Sequence, residues 1–232
     1  GLFGGAVKVP KMPAREPIPE WDPREKLKFE KEALGFYITA HPLDKYEREL
    51  ARISKLTTAD LPAAPDGSAV QIAGVIQAVK LKNNKSGKRY ATFSLEDREG
   101  AVEAIAWSET YQKFEPIIMG EEPVLARGKL DVDDERAQII LESIVPLDSA
   151  LIDSVREVRI SAPLAWFDNG GLDTLKQILA RYRGRSMTYL NLGLDDGREA
   201  IILLGDGYRV SPTASFVTDI ERVLAPGTVE LR

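Results

Sequence analysis

The sequence predicts a mixed fold: a five-stranded β-barrel followed by a small α+β domain, preceded by a proline-rich linker and two short helices. Three observations lead to it. Pro10, Pro13, Pro17, Pro19 and Pro23 crowd residues 5–23, and proline fixes φ and removes a donor, so this stretch reads as extended chain. Between 69 and 147, five runs rich in strand formers are cut by turn chemistry, with one helix-like run after the third. Beyond 155, strands alternate with amphipathic helices. The divisions drawn from these changes are 1–22 (linker), 23–66 (helical connector), 67–148 (barrel) and 149–232 (α+β domain).

The first helix begins cleanly. Asp22 suits the N-cap, Pro23 the first helical position, and Glu25 gives a capping-box-like spacing, while Gly35 can stop the helix. His41-Pro42 is a turn. A second helix carries Leu43, Tyr46, Leu50 and Ile53 on one face, and 57–68 reads as loop.

The next strands are expected at 69–81, 89–97 and 101–107, divided by Asn83-Asn84-Lys85-Ser86-Gly87 and by Arg98-Glu99-Gly100. A helix-like stretch at 109–119 precedes strands at 123–131 and 137–145. Five strands with a helix between the third and fourth is the OB-fold layout. Gly74, inside the first strand, is a candidate for the bulge or bend that a sharply coiled strand needs.

In the last domain a strand at 155–161 leads to a helix whose buried face is expected to hold Leu172, Leu175, Ile178, Leu179 and Tyr182. Strands at 187–194 and 199–204 are joined by the hairpin signal Asp195-Asp196-Gly197. Gly205-Asp206-Gly207 turns into 208–210, and Ser211-Pro212 reads as an N-cap and first-turn proline. The helix that follows buries Phe216, Ile220, Val223 and Leu224, and a strand at 228–231 closes the sequence.

Bulk properties narrow the function classes. The 232 residues include 44% hydrophobic and 29% charged, as in soluble globular proteins. At a net charge of -5 there is no global basic field, so any nucleic-acid contact must come from a local patch. The absence of cysteine excludes a disulfide scaffold and a thiolate metal site and fits a reducing cytoplasm. Apolar runs such as 200–204 are too short to cross a bilayer, so no membrane partner is expected. The start, GLFGGAV, lacks both an initiator Met and the features of a signal peptide, and the chain is expected to be cut from something longer.

The densest candidate site is 80–89, KLKNNKSGKR, with Lys80, Lys82, Lys85, Lys88 and Arg89 and no acid. In an OB barrel the loop between strands 1 and 2 flanks the binding face, where such a loop can track a phosphate backbone. The same residues also suit a solvated hairpin tip, and both readings stand. Residues 69–147 hold 10 Lys+Arg against 13 Asp+Glu, and the loop between strands 4 and 5 is acidic (Asp131, Asp133, Asp134, Glu135). Weak, salt-sensitive binding is therefore expected. Alternation puts Phe93 with Ala91 and Leu95 on the core face, leaving Tyr90 as the better base-stacking candidate; Trp107 fits either role.

The only histidine, His41, reads as a turn residue rather than a metal ligand. The sequence holds no Ser/His/Asp constellation, no phosphate-cradling glycine loop and no paired carboxylates for two-metal chemistry, so neither catalysis nor a cofactor is expected. Leu2-Phe3 could be an apolar peptide ligand for a groove or simply a frayed end.

Residues 30–43, EKEALGFYITAHPL, resemble a stretch of the bacterial replicative DNA polymerase III alpha family of the form E-x-E-x-L-G-x-Y-x-x-x-H-P. Glu30, Glu32, Leu34, Gly35, Tyr37, His41 and Pro42 match it. The similarity extends to VQIAGVI, KSGKR and FSLEDREG in the barrel, to Arg127-Gly128, and to YRVSPT and TVELR near the end. It implies that the chain is a non-catalytic C-terminal part of a DNA-directed DNA polymerase, a nucleotidyltransferase whose palm and metal-binding carboxylates lie upstream. It also implies single-stranded template DNA as the ligand of the OB barrel and the clamp-loader tau subunit as the partner of the last domain, from Tyr208 onward. Leu2, Phe3 and Gly4 match the tail of the family's sliding-clamp-binding motif, which makes the clamp a partner of the intact protein. The alternative reading is a stand-alone OB-fold module that binds single-stranded DNA or RNA, or another protein.

Overall fold

The computed structural model describes residues 21–35, 37–133, 136–194 and 197–232. Leu2 and Phe3, the loop residues Asp134 and Glu135, and the hairpin residues Asp195 and Asp196 lie outside them. The chain divides into two units, Gly1–Pro42 and Leu43–Arg232, a division that runs through the 23–66 stretch.

The first unit holds helix α1 (Pro23–Leu34). The Lys26 N–H bonds Asp22 O at 2.9 Å, and the helix stops at Gly35, whose φ of +83° is the left-handed region that glycine enters without strain. Glu30 then ties the following turn, accepting hydrogen bonds from the backbone N–H of Ile38 (3.1 Å) and Thr39 (3.0 Å) and from the Thr39 hydroxyl. The Thr39 hydroxyl, ahead of the backbone bonds, holds the Glu30 carboxyl below the ordinary carboxylate range. Tyr37 meets His41 edge-on at 5.5 Å, and Lys31 Nζ sits 4.8 Å above the Tyr37 ring. Glu30 thus ties the turn that follows α1, with Tyr37 and His41 in ring contact within it.

The second unit opens with a 3-10 turn (Asp44–Tyr46), helix α2 (Glu47–Ile53) and a second 3-10 stretch (Thr58–Ala63) where the sequence suggested loop. A reciprocal Thr57–Asp60 capping box starts that stretch. The barrel strands are β1 (Ala69–Asn83), β2 (Arg89–Glu96), β3 (Ala101–Ala106), β4 (Val124–Val132) and β5 (Ala137–Pro146), with helix α3 (Ser108–Ile118) between β3 and β4. They close in the order β1-β2-β3-β5-β4, all neighbours antiparallel except β3 and β5. This is the expected OB barrel. Its core gathers Ile72, Phe93, Leu95, Leu130, Ile139 and Ile144, with Tyr111 and Ile118 of α3.

One long strand serves both sides of the barrel: β1 pairs β4 through Ala69–Gly74 and β2 through Val75–Asn83. At this changeover Gly74 is a point of close approach rather than a bulge. A Cβ there would lie 2.8 Å from Leu95 Cδ1 and 2.9 Å from the Glu96 carbonyl oxygen. The bulge falls four residues later, where the register shifts between Gln77 and Lys80 and Ala78 takes a φ of +51°. It inverts the alternation: Val70, Ile72 and Ile76 enter the core before it, and Val79 packs on the core after it. Lys80 and Lys82 consequently face water. A second tight point is Gly128, where a Cβ would come 2.2 Å from the Ile140 carbonyl oxygen, beside the β4–β5 register shift.

Helix α4 (Leu147–Ser154), not foreseen, packs Leu147 and Ala150 with Leu43, Tyr46, Ala73 and Leu125 on the outside of the barrel. The last domain follows: β6 (Glu157–Pro163), a 3-10 stretch (Leu164–Asn169), helix α5 (Gly171–Arg181), β7 (Arg183–Gly193), β8 (Glu199–Leu203), a 3-10 turn (Asp206–Tyr208), helix α6 (Ala214–Val223) and β9 (Val229–Leu231). The sheet order is β8-β7-β6-β9, with β6 and β7 parallel. Val158, Ile160, Leu190, Leu175, Leu179, Phe216 and Ile220 form a core separate from the barrel's.

Two details depart from expectation. Leu172 lies in the first turn of α5 and is exposed, so the buried stripe begins at Leu175. The cap of α6 is Thr213, whose hydroxyl accepts from Phe216 N–H at 3.2 Å, rather than Ser211.

Candidate nucleic-acid interface

The β1–β2 hairpin carries the basic residues, and its turn is built by Asn84. The Asn84 side-chain oxygen accepts from Ser86 N–H (3.0 Å) and Lys88 N–H (2.9 Å), and Gly87 supplies the left-handed φ of +76°. The Asn84 amide nitrogen also donates to Ser108 Oγ at 3.4 Å, linking the hairpin tip to the start of α3. The tip is therefore held at both its turn and its flank.

Lys82 lies opposite Tyr90, Lys80 opposite Thr92 and Asn83 opposite Arg89. Lys80, Lys82, Lys85, Lys88 and Arg89 are exposed, and among the described residues none is paired with a carboxylate. Of the other basic groups of the barrel, Arg98 is engaged with Asp44 and Glu47, Arg127 with Gln71, Lys129 with Glu142 and Arg136 with Asp133, and Lys113 on α3 lies 5.1 Å over the Phe114 ring. The uncommitted positive charge thus collects at one end of the barrel wall.

Tyr90 and Trp107 meet there, ring centroids 5.1 Å apart and planes tilted by 37°. Trp107 caps the end of β3 immediately before α3 and is 47% exposed; Tyr90 is half-buried. Phe93 is in the core, as alternation indicated. Below the aromatic pair, Thr92 faces Ile105, which in turn faces Ile140 across the β3–β5 junction.

The opposite end of the same wall is acidic. Glu103 stands exposed between Ser94 and Gln138, and Asp131 accepts from Gln138 Nε2 at 2.6 Å. Asp133 is drawn onto Arg136, with a side-chain pair at 3.4 Å and a backbone bond at 2.9 Å, which reduces the free negative charge at the base of the β4–β5 loop. The structure therefore brings the seven predicted residues onto one hairpin and its neighbouring strand end. The Ala78 bulge was missed in the sequence. Its signal was the shift of apolar parity from Ile72 and Ile76 to Val79 and Leu81.

Such an arrangement can hold a phosphate backbone with mobile cations and offer a ring face to bases. Among the described residues no three His, Asp or Glu side chains are grouped to hold a metal ion, and no helix is long and apolar enough to cross a membrane.

Residues 70–147 match a family model described as an OB-fold nucleic acid binding domain. Over nearly its full length the chain is similar to proteins named DNA polymerase III subunit alpha. That of Mycobacterium tuberculosis strain H37Rv is 30% identical over 229 residues, which is 97% of this chain and 19% of the relative. That of Deinococcus radiodurans is 33% identical over 198 residues, 82% of this chain and 15% of the relative. The chain spans about a fifth of the length of the curated relatives it matches. Among solved structures, the mitochondrial single-stranded DNA binding protein Rim1 of S. cerevisiae aligns with a TM-score of 0.29 at 16% identity, covering 36% of this chain and 96% of that one.

Proposed function

Because the chain is homologous over 97% of its length to a segment of DNA polymerase III alpha subunits, we propose that it is the C-terminal, non-catalytic part of such a subunit and grips single-stranded template DNA with its barrel. The observation that carries this reading is the Tyr90–Trp107 pair beside five uncommitted cations on the wall of a closed OB barrel. The rings receive bases, Lys80 and Lys82 flank them from β1, and Lys85, Lys88 and Arg89 receive phosphates at the tip. The acidic half of the wall, with Glu103 and Asp131, confines the strand to the hairpin end. The parent protein supplies the polymerase chemistry, and in the intact protein the segment around Leu2-Phe3 contributes to sliding-clamp binding. The last domain, whose core is separate from the barrel's, is read as the module that binds the clamp-loader tau subunit, on the family resemblance of residues 208–232.

The test is fluorescence anisotropy of a labelled single-stranded oligonucleotide titrated with the chain across salt concentrations. With about 3–5 phosphate contacts, log affinity should fall against log salt with a slope of roughly -2 to -3.5. Absence of binding at low salt would reject the DNA grip and leave a protein-tethering piece.

A further inference from the structure

We propose that the outer edge of β8 is a docking site at which an extended segment of the last domain's protein partner adds to the sheet as a fifth strand. This rests on reading that domain as the tau-binding module. The two edges of the sheet are unlike. β9 is three residues long, with Val229 and Leu231 half-buried under α6. β8 presents Ile201, Ile202 and Leu203 at 58, 43 and 55% exposure. Proteins ordinarily blunt a free edge with lysine, proline, a bulge or a covering element. β8 has no Lys or Pro, and its register with β7 runs unbroken from Gly193↔Glu199 to Tyr189↔Leu203.

The hydrogen-bond phase fixes what the edge offers. Leu204 N–H bonds Thr188 O and Leu194 N–H bonds Arg198 O, so the even-numbered residues of β8 bond β7. In an antiparallel pair the alternate residues turn their N–H and C=O the other way. Glu199, Ile201 and Leu203 therefore direct their backbone groups outward, and among the described residues no strand receives them. Ile201 and Leu203 also share one sheet face with their register partners Asn191 and Tyr189. Water can meet these groups singly, but an extended chain can pair with the whole row at once, and the exposed Ile201 and Leu203 side chains match one whose alternate residues are apolar.

Charge sets the flank. Beyond Leu203 the sheet continues along β7 to Arg185 and Arg183, both exposed and neither paired with a carboxylate among the described residues. Bridges of Arg183 and Ser186 to Val210 place this end of β7 beside Tyr208, itself 39% exposed. A segment running past Leu203 meets the turn that carries Tyr208 and Asp206, whose carboxylate is held by Arg209 at 2.9 Å, and then the uncommitted guanidinium groups of Arg185 and Arg183. The matching partner strand has alternating apolar residues and an acidic end.

The experiment is calorimetric titration of the whole chain with purified tau. Ile201→Pro removes an outward N–H and none that bonds β7, a placement that edge strands tolerate. It should weaken tau at least roughly tenfold, as should Arg183→Glu with Arg185→Glu, while Ile201→Val keeps the affinity. Amide exchange at Ile202 and Leu190 checks that the β7–β8 ladder persists. Equal tau affinity in all variants overturns the edge proposal and leaves the domain's role standing. No tau binding by the unmodified chain rejects that role and the edge proposal together. Self-association of the unmodified chain that Ile201→Pro abolishes, with tau affinity unchanged, overturns it in favour of a second copy.

Discussion

Thr58 donates both its backbone N–H and its hydroxyl to the carboxylate of Asp97, each at 2.7 Å. Asp97 is nearly buried and also accepts from Glu99 N–H (2.9 Å) and Gly100 N–H (3.0 Å), so one side chain both builds the β2–β3 turn and anchors the segment entering the barrel. Asp97→Ala leaves these donors unmatched and should cost about 2–3 kcal/mol, read as a lowered urea midpoint with the slope unchanged. A loss below ~0.5 kcal/mol would mean that water replaces the carboxylate without penalty.

Removing the aromatic pair should separate stacking from charge. Tyr90→Ala and Trp107→Ala should each weaken oligonucleotide binding by about 1–3 kcal/mol with the salt slope preserved. Lys82→Glu, Lys85→Glu and Lys88→Glu together should abolish binding under the same conditions and leave the circular dichroism spectrum intact. Unchanged affinity in the triple variant would remove the hairpin from the site.

The contact between α5 and α6 should carry an acid dependence. Tyr182 donates its hydroxyl to Asp219 at 2.7 Å, and Arg181 and Arg222 lie at 3.2 and 3.0 Å. The Tyr182 hydroxyl first, and then the two guanidinium charges, hold the Asp219 carboxyl below its ordinary range. A carboxyl depressed by folding stabilises the native state above its unfolded value, about pH 4, and loses that contribution as pH falls through the folded value. Asp219→Asn should therefore be less stable than the unmodified chain at neutral pH, with the gap closing on acidification below about pH 4. A gap that stays constant from pH 7 to 3 would refute this, read from urea midpoints against pH.

The last domain should fold alone. Its core contains none of the barrel's residues, and Arg232 closes the sheet by exchanging backbone bonds with Glu157 at 2.9 and 3.0 Å. A fragment of residues 155–232 should give a cooperative thermal transition by circular dichroism. A non-cooperative melt would show that α4 or the barrel wall completes it.

The barrel was legible because its strands alternate and its first two turns carry Asn84 with Gly87 and Glu99 with Gly100, residue types that turns favour wherever they occur. The hairpin site was legible because five cations without an acid in ten residues survive any choice of register. What escaped depended on contacts distant in sequence. Leu172 fits the apolar stripe of α5 by spacing, yet in the first turn of that helix it is Gly171 that is buried, against Trp166, and Leu172 is left exposed. Thr213 rather than Ser211 is the cap because α6 starts only at Ala214, which puts the Thr213 hydroxyl three residues before Phe216 N–H, while Ser211 N–H ties the preceding chain to Tyr182 O at 2.8 Å. The free edge of β8 was hidden because AIILL looks like any buried strand until its neighbours are known.

The inversion at Ala78 lets two selective pressures act on one strand without interfering. Upstream of it, a substitution is judged by whether the barrel closes; downstream, by what the hairpin touches. Deleting a single residue there would restore uninterrupted alternation and send Lys80 and Lys82 toward the interior while Val79 left the core. A change in the hairpin's charge is therefore expected to leave the barrel core alone as long as the irregularity is kept, whereas its loss would disturb both at once.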